Sequence, residues 1–89
     1  MAIYLVTYDL KAPGRNYQPV HDYLKRFTHC KGLESVYLID TESSATQVCD
    51  ALKAIIDAND VVLVIRLARN GASHNYTCMK WINESGRSW

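Results

Sequence analysis

An aspartate at the end of an apolar segment is the residue of this sequence best placed to do chemistry. Ala2 to Asp9 contains the short run Ile3–Tyr8, which is rich in β-branched and aromatic residues and predicts a buried strand. A carboxylate that ends such a strand is held on a rigid element and reaches the edge of the sheet, where it can hold a metal ion or a water. The alternative is that Asp9 begins a turn by accepting hydrogen bonds from nearby backbone N–H groups.

Metal-dependent cleavage of a phosphodiester is the reaction that this carboxylate could support. Such cleavage needs a positioned water and neutralised charge on the phosphate, and Mg²⁺ supplies both while binding one or two carboxylates. One aspartate per chain is a small ligand set, but two symmetry-related Asp9 side chains in a homodimer would form the usual pair. Their mutual repulsion would itself favour a cation. No histidine has an obvious position for general base catalysis, which leaves His21 and His29 open.

Basic residues that could contact phosphate groups follow the aspartate. Lys11 and Arg15 lie in the loop after Asp9, and Arg26 lies near the end of the predicted first helix. The formal net charge of +1 excludes a strong basic field, so nucleic-acid binding would depend on a local patch of this kind. For Arg26 the alternative is a solvated helix end, because basic residues are favourable near helix C-termini without any ligand.

The three cysteines are odd in number and form no Cys-x-x-Cys pair. We interpret Cys30, Cys49 and Cys78 as reduced thiols of a cytoplasmic protein. A zinc site made of His29, Cys30, His74 and Cys78 has no common ligand spacing, so the sequence disfavours it.

Size and composition indicate one globular domain that a partner subunit would stabilise. The chain has 89 residues, of which 48% are hydrophobic and 21% are charged, as is typical of a folded protein. A domain of this size buries only roughly 60–65% of its unfolded surface. No apolar run approaches the ~20 residues that cross a bilayer, and no signal peptide is recognisable, so we expect no membrane contact.

Apolar residues at helical spacing predict two helices. The first follows Asn16, a plausible N-cap, and has Pro19 in its first turn, where the missing N–H costs nothing. Ser44 and Gln47 have the spacing of a capping box, which begins the second helix.

The remaining apolar segments predict further strands. Ser35–Asp40 is one, Thr28–Gly32 is an ambiguous second, and the almost unbroken apolar run Val61–Leu67 is expected to be a central strand, covered on both faces or at an interface. With Thr28–Gly32 counted, the order is βαββαβ, an α+β ferredoxin-like sandwich with two helices on one face of an antiparallel sheet. Both faces of the first strand carry bulky side chains, which favours a dimer that covers the other face.

The segment after this domain has a different character. We assign residues 1–67 to the ferredoxin-like domain and 68–89 to a tail that is part of the same domain or of a dimer interface. Tyr76–Ile82 is expected to form an additional C-terminal strand that adds to a partner's sheet, with Trp81 in or beside the interface. The alternative is that the tail packs on its own subunit.

A series of short motifs in the first two thirds of the chain resembles a known family. The motifs are, in chain order, Tyr4–Leu10, Pro13-Gly14, Tyr17, Leu33–Ile39, Ser44-Ala45, Ile56-Asp57 and Asp60. They are similar to those of the CRISPR-associated "Cas two" family, nearest to a prokaryotic and phage group labelled SinR-like, with VapD-type toxins as more distant relatives. The resemblance covers roughly residues 2 to 67.

The resemblance implies a ferredoxin-like homodimer in which the two strand-ending aspartates face each other across the dimer axis. It implies Asp9 as catalytic residue and metal ligand, Tyr8 as its catalytic neighbour, and Lys11 and Arg15 as the basic residues after the strand. Members have been assigned metal-dependent cleavage of RNA or DNA, whereas others are dimeric adaptors that hold duplex DNA during spacer integration without needing the aspartate. We therefore expect a Mg²⁺-dependent nuclease, with a non-catalytic adaptor that binds nucleic acid or protein as the alternative.

Overall fold

The structure, a computed structural model, describes residues 2–11 and 17–87 as four strands and three helices around one sheet. The elements are β1 (Ala2–Asp9), α1 (Gln18–Leu24), β2 (Thr28–Leu33), β3 (Val36–Thr41), α2 (Ala45–Lys53), β4 (Val61–Arg66) and α3 (Cys78–Ile82). The sheet is antiparallel with strand order β2-β3-β1-β4. With α1 and α2 as the crossover helices, this arrangement confirms the predicted α+β ferredoxin-like fold.

The central strand β1 buries side chains on both of its faces. Tyr4, Val6 and Tyr8 belong to the core between the sheet and the helices, whereas Ile3 and Leu5 belong to a second cluster on the opposite face. Successive side chains of a strand point to opposite faces, so this alternation separates the helix face from what we call the second face. The prediction that both faces of β1 carry bulky groups is confirmed.

The two crossover helices begin close to where the sequence predicts. In α2 the Ser44 side chain accepts from the Gln47 backbone N–H at 3.1 Å, and the Gln47 side chain accepts from the Ser44 N–H at 2.8 Å, so the predicted capping box is present. Pro19 lies in the first turn of α1, as predicted. Tyr17 occupies the N-cap position there, and the predicted cap Asn16 lies outside the described residues.

The apolar strand β4 is an edge strand, so the expectation of a central strand is wrong. Val62 and Val64 pack on the helix core, but Val61, Leu63 and Ile65 project to the second face and remain 52%, 52% and 50% exposed. The sequence of β4 is therefore apolar on both faces, because one face contacts the helices and the other forms an exposed apolar row.

The tail forms a helix, which corrects the predicted C-terminal strand over Tyr76–Ile82. Cys78 and Ile82 are four residues apart and both are buried on the second face against Ile3 and Leu38. A short apolar segment fits either period, and here the contact with the sheet selects the helical one. The described part of the tail packs on its own subunit.

A disulfide joins the tail to the sheet, which corrects the interpretation of all three cysteines as reduced thiols. Cys30 of β2 is bonded to Cys78 of α3 with their Cα atoms 5.9 Å apart, while Cys49 is a free thiol. Two further contacts hold the tail. Arg87 lies 3.6 Å from the buried carboxylate of Asp40, and its guanidinium stacks 4.3 Å from the Trp81 ring.

Two observations concern metals and membranes. Among residues 2–11 and 17–87, no group of three or more His, Cys, Asp or Glu side chains is arranged to hold a metal ion. Within the same ranges no helix has the length and apolar character needed to cross a membrane.

Candidate functional site

Asp9 ends β1 at the margin of the sheet and on the second face. Its backbone pairs with Val61, and its side chain is 67% exposed. The Lys11 ammonium lies 2.9 Å from Asp9 Oδ2, and this ion pair raises the pKa of Lys11. The carboxylate is thus held on a rigid strand, is open to solvent, and is paired with one exposed cation that a phosphate group could attract away.

A second carboxylate, that of Asp60, accepts hydrogen bonds from Lys11 and Tyr17. Its Oδ1 accepts from the Lys11 backbone N–H at 2.8 Å and from the Tyr17 hydroxyl at 3.3 Å, and its Oδ2 accepts from the Asp57 N–H at 2.9 Å. Asp60 therefore joins the turn before β4 to both ends of the loop that follows Asp9. The sequence includes it among the family motifs but gives no sign of this role.

Tyr8 lies on the helix face, opposite to Asp9. It is buried, stacks on Tyr37 with ring centroids 6.4 Å apart, and its hydroxyl donates to the Glu34 carbonyl at 3.4 Å. Burial, followed by the neighbouring Tyr37 and Glu34, raises the pKa of Tyr8 to about 12. Tyr8 is therefore a neutral hydrogen-bond donor at physiological pH and not a proton acceptor.

His21 of α1 lies at the same end of the sheet. The sequence alone leaves its role as a general base open. Its Nδ1 lies 3.0 Å from the Tyr37 hydroxyl, and its ring meets Tyr8 edge-on at 6.1 Å. Burial lowers the pKa of His21, and the positive charges of Lys31 and Lys25 lower it further. A neutral imidazole with one fixed nitrogen can accept a proton at the other.

A cavity of about 320 Å³ connects these groups. Its lining residues are Tyr8, Asp9, Leu10, His21, Lys31, Glu34 and Ser35. A water occupies ~30 Å³ in the liquid, so the cavity can hold a phosphate group together with several waters. The site combines a carboxylate, an imidazole and an ammonium at one edge of the sheet.

The predicted basic residues do not all meet at this cavity. Lys11 lies beside Asp9, whereas Arg26 follows α1 and its guanidinium lies 5.8 Å from the Tyr23 ring, away from the cavity lining. Arg15 lies outside the described residues. Lys31 of β2 does line the cavity and was not predicted, because nothing in the sequence around it signals a site.

The donor set for a metal ion is incomplete in one chain. Mg²⁺ prefers hard oxygen ligands and usually keeps several waters, so an exposed carboxylate such as Asp9 suits it. Glu34 reaches the same cavity, but the described residues offer no third carboxylate or histidine arranged with them as a ligand group. A second copy of the chain would supply the additional carboxylate.

The second face carries exposed apolar side chains. The apolar row of β4 lies there, and Leu33 on the opposite edge strand, β2, is also exposed. A groove of about 510 Å³ between the sheet and α3 continues this surface, and its apolar lining includes Leu5, Leu67 and Met79. Asp9 is thus at the margin of an apolar face that the tail covers only in part.

The fold and this site define a small ferredoxin-like protein with a strand-ending aspartate beside an open sheet face. The chain belongs to the family described as CRISPR associated protein Cas2, whose family model matches residues 1–74. This confirms the resemblance seen in the sequence and extends it past Leu67. The match ends before α3, so the disulfide-linked helix lies beyond the matched part. No solved structure matches the chain.

Proposed function

We propose that this Cas2-family protein is a homodimeric, Mg²⁺-dependent nuclease that cleaves a phosphodiester bond of RNA or DNA, with one Asp9 from each subunit holding the ion. The observation that supports the proposal is the position of Asp9. It is exposed at the end of the central strand, on the same face as the open apolar row of β4. A partner on that face brings a second carboxylate to the first.

The energetics favour an interface larger than the row itself. Complete burial of a Val, Leu or Ile side chain is worth about 1.5–3 kcal/mol, so the exposed halves of Val61, Leu63 and Ile65 contribute about 1 kcal/mol each. A dimer with a micromolar Kd has a net association free energy of about 8 kcal/mol. Its contacts must also compensate for the translational and rotational freedom that association removes. The three side chains on each of two copies supply about 6 kcal/mol in total, so we infer that further apolar surface, such as the groove beside α3, takes part in the contact.

Asp9, Asp60 and Lys11 would each have a different role in the reaction. A bound Mg²⁺ would neutralise charge on the phosphate and polarise the attacking water. Asp9 provides a hard oxygen ligand on a rigid element, and Asp60 holds the backbone of Lys11, two residues further on. Lys11 balances the charge of Asp9 when no substrate is bound, and it is free to pair with a phosphate oxygen once the carboxylate turns to the ion.

The test is cleavage of single- and double-stranded RNA and DNA by purified protein in Mg²⁺ or EDTA. We expect Mg²⁺-dependent cleavage that Asp9→Asn reduces to the level of the EDTA control. Asp50→Asn is the matched control, because Asp50 is an exposed carboxylate on α2, on the helix side of the sheet. Cleavage that persists unchanged in Asp9→Asn shows either a contaminating nuclease or a wrong assignment of Asp9.

The basic residues are proposed phosphate contacts in this function. Lys11 is beside Asp9, and Arg15 and Arg26 complete the predicted patch. The triple alanine variant should weaken binding to all sequences alike and flatten the dependence of log K on log salt concentration, since phosphate contacts release counterions. Unchanged affinity would remove this patch from the proposal.

A non-catalytic dimeric adaptor is the second candidate. The observation that favours it is the ion pair of Asp9 with Lys11, together with the small ligand set in one chain. It predicts a stable dimer that binds nucleic acid or protein but turns over no substrate with any metal. The separation of the two Asp9 carboxylates in the dimer distinguishes the candidates. A shared ion requires at most about 6–8 Å, given metal–oxygen bonds of ~2.0–2.6 Å with bridging waters.

A further inference from the structure

We propose that His21 is the general base of this cleavage, accepting a proton from the attacking water at Nε2, and that Tyr37 is the positioning residue that holds its ring. The inference rests on the proposed nuclease function and assigns the general base, a role that the strand-ending aspartate does not fill. The observation that carries it is the cavity of about 320 Å³ that His21 shares with Asp9.

The ring of His21 is fixed by buried neighbours. Tyr37 is completely buried on β3, its hydroxyl lies 3.0 Å from His21 Nδ1, and Tyr8 contacts the ring edge-on. With the proton on Nδ1 donated to Tyr37, the lone pair of Nε2 is available for a water. This is the arrangement in which a third group orients a base.

The charges around His21 favour the neutral imidazole. Lys31 of β2 and Lys25, just after α1, are the cations that face it, and Asp22 opposes them more weakly. Glu34 of the β2–β3 turn lines the same cavity, while the hydroxyls of Tyr8 and Tyr37 carry no charge at neutral pH, as is usual for tyrosine. A base must be unprotonated before it can act, so this environment keeps His21 competent at neutral pH.

The proposed step balances as an ordinary hydrolysis. The oxygen of a water beside Asp9 forms a bond to phosphorus as one of its protons moves to His21 Nε2. The bond between phosphorus and the leaving nucleoside oxygen breaks, and that oxygen takes a proton from solvent. His21 then returns its proton to solvent, and the products are a phosphate monoester and a free hydroxyl.

His29 provides a matched control within the same neighbourhood. Its ring lies 5.8 Å from that of Tyr37, but its Nδ1 is bound to the Phe27 carbonyl at 2.9 Å. His29 does not line the cavity that contains Asp9. Replacing it removes a histidine of similar burial without removing the proposed base.

The experiment measures the rate of cleavage against pH for the full-length protein and for His21→Ala, His29→Ala, Tyr37→Phe and Asp9→Asn. General base catalysis contributes typically 10²–10⁴-fold, so His21→Ala should lower kcat by at least about 100-fold and lose the acid limb of the pH profile. Added imidazole should restore part of that activity. Tyr37→Phe should lower kcat with little change in KM, and His29→Ala should match the wild type.

The outcomes separate this inference from the function it rests on. If Asp9→Asn is inactive but His21→Ala cleaves like the wild type, His21 is not the base and the nuclease proposal stands. If the wild type shows no Asp9-dependent cleavage at any pH, both are overturned. Should His21→Ala fail to fold, the wild-type profile decides, because a rate without an acid limb below the usual histidine pKa of about 6.5 excludes the proposed base.

Discussion

Removal of the disulfide between β2 and α3 tests whether the tail is part of the folded domain. The change is the double variant Cys30→Ala/Cys78→Ala, compared with the oxidised wild type. The bond links residues 48 positions apart, and Cys78 is completely buried against Ile3 and Leu38. Loss of the bond therefore increases the conformational freedom of the unfolded chain. It also removes the covalent link that holds α3 on the second face.

The expected magnitude follows from the length of the closed loop. Closing a loop of n residues changes the entropy of the unfolded chain by about −2.1 − 1.5R ln n cal/mol/K. With n near 48, the bond stabilises the folded state by about 4 kcal/mol at 25 °C. A domain of this size has a total free energy of unfolding of about 5–15 kcal/mol, so the bond represents a large part of it. A helix of five residues is not stable by itself in water, so α3 should separate from the sheet without the bond.

Urea denaturation followed by circular dichroism and tryptophan fluorescence measures the effect. With an m-value of about 1–3 kcal/mol/M, the midpoint should fall by roughly 1.3–4 M in the double variant and in wild type treated with dithiothreitol. Cys49→Ala should leave the midpoint unchanged, because Cys49 is a free thiol on α2. Equal midpoints for oxidised and reduced wild type, or alkylation of all three cysteines in the native oxidised protein, would contradict the reasoning.

Three further predictions concern packing, association and pH. Gly32→Ala places a Cβ 2.5 Å from Tyr76 Cε1 and should cost about 1–3 kcal/mol in urea denaturation, whereas Gly71→Ala, which meets nothing within 4 Å, should not. Leu63→Lys should remove about 2 kcal/mol of apolar contact over two copies and weaken the proposed dimer roughly 30-fold in sedimentation. The fold raises the pKa of Tyr8 from 10.0 to about 12, so the native state keeps a proton that the unfolded chain loses. Stability measured by denaturation should fall as pH rises from 10 towards 12, and Tyr8→Phe should remove part of that fall.

The sequence predicts those parts of the molecule that depend on local pattern. Strand β1 with Asp9 at its end follows from a run of apolar residues that stops abruptly, and the start of α2 follows from the three-residue spacing of Ser44 and Gln47. Both signals lie within a few residues of the structure that they determine. The topology then follows from the order of elements, because few arrangements accommodate βαββαβ.

The parts that were not predicted depend on contacts between distant residues. α3 is helical because it packs on the sheet through a bond to Cys30, and an odd number of cysteines does not reveal that pairing. The edge position of β4 is likewise invisible in an apolar run that fits a buried strand equally well. His21 gains its significance from Tyr37, which lies on another element, and periodicity alone shows only that it is next to an apolar helix face.

The composition of β4 has a consequence for how the protein behaves in solution. Five apolar residues, four of them β-branched, and a single charged residue, Arg66, form an edge strand whose backbone can pair with another chain. Conditions that dissociate or partly unfold the protein would then favour strand-to-strand aggregation through this edge. Arg66 is the natural gatekeeper, so replacing it with an apolar residue should lower solubility, whereas a second charge at Ile65 should raise it. The strand that carries the proposed dimer contact is therefore also expected to limit the solubility of the subunit alone.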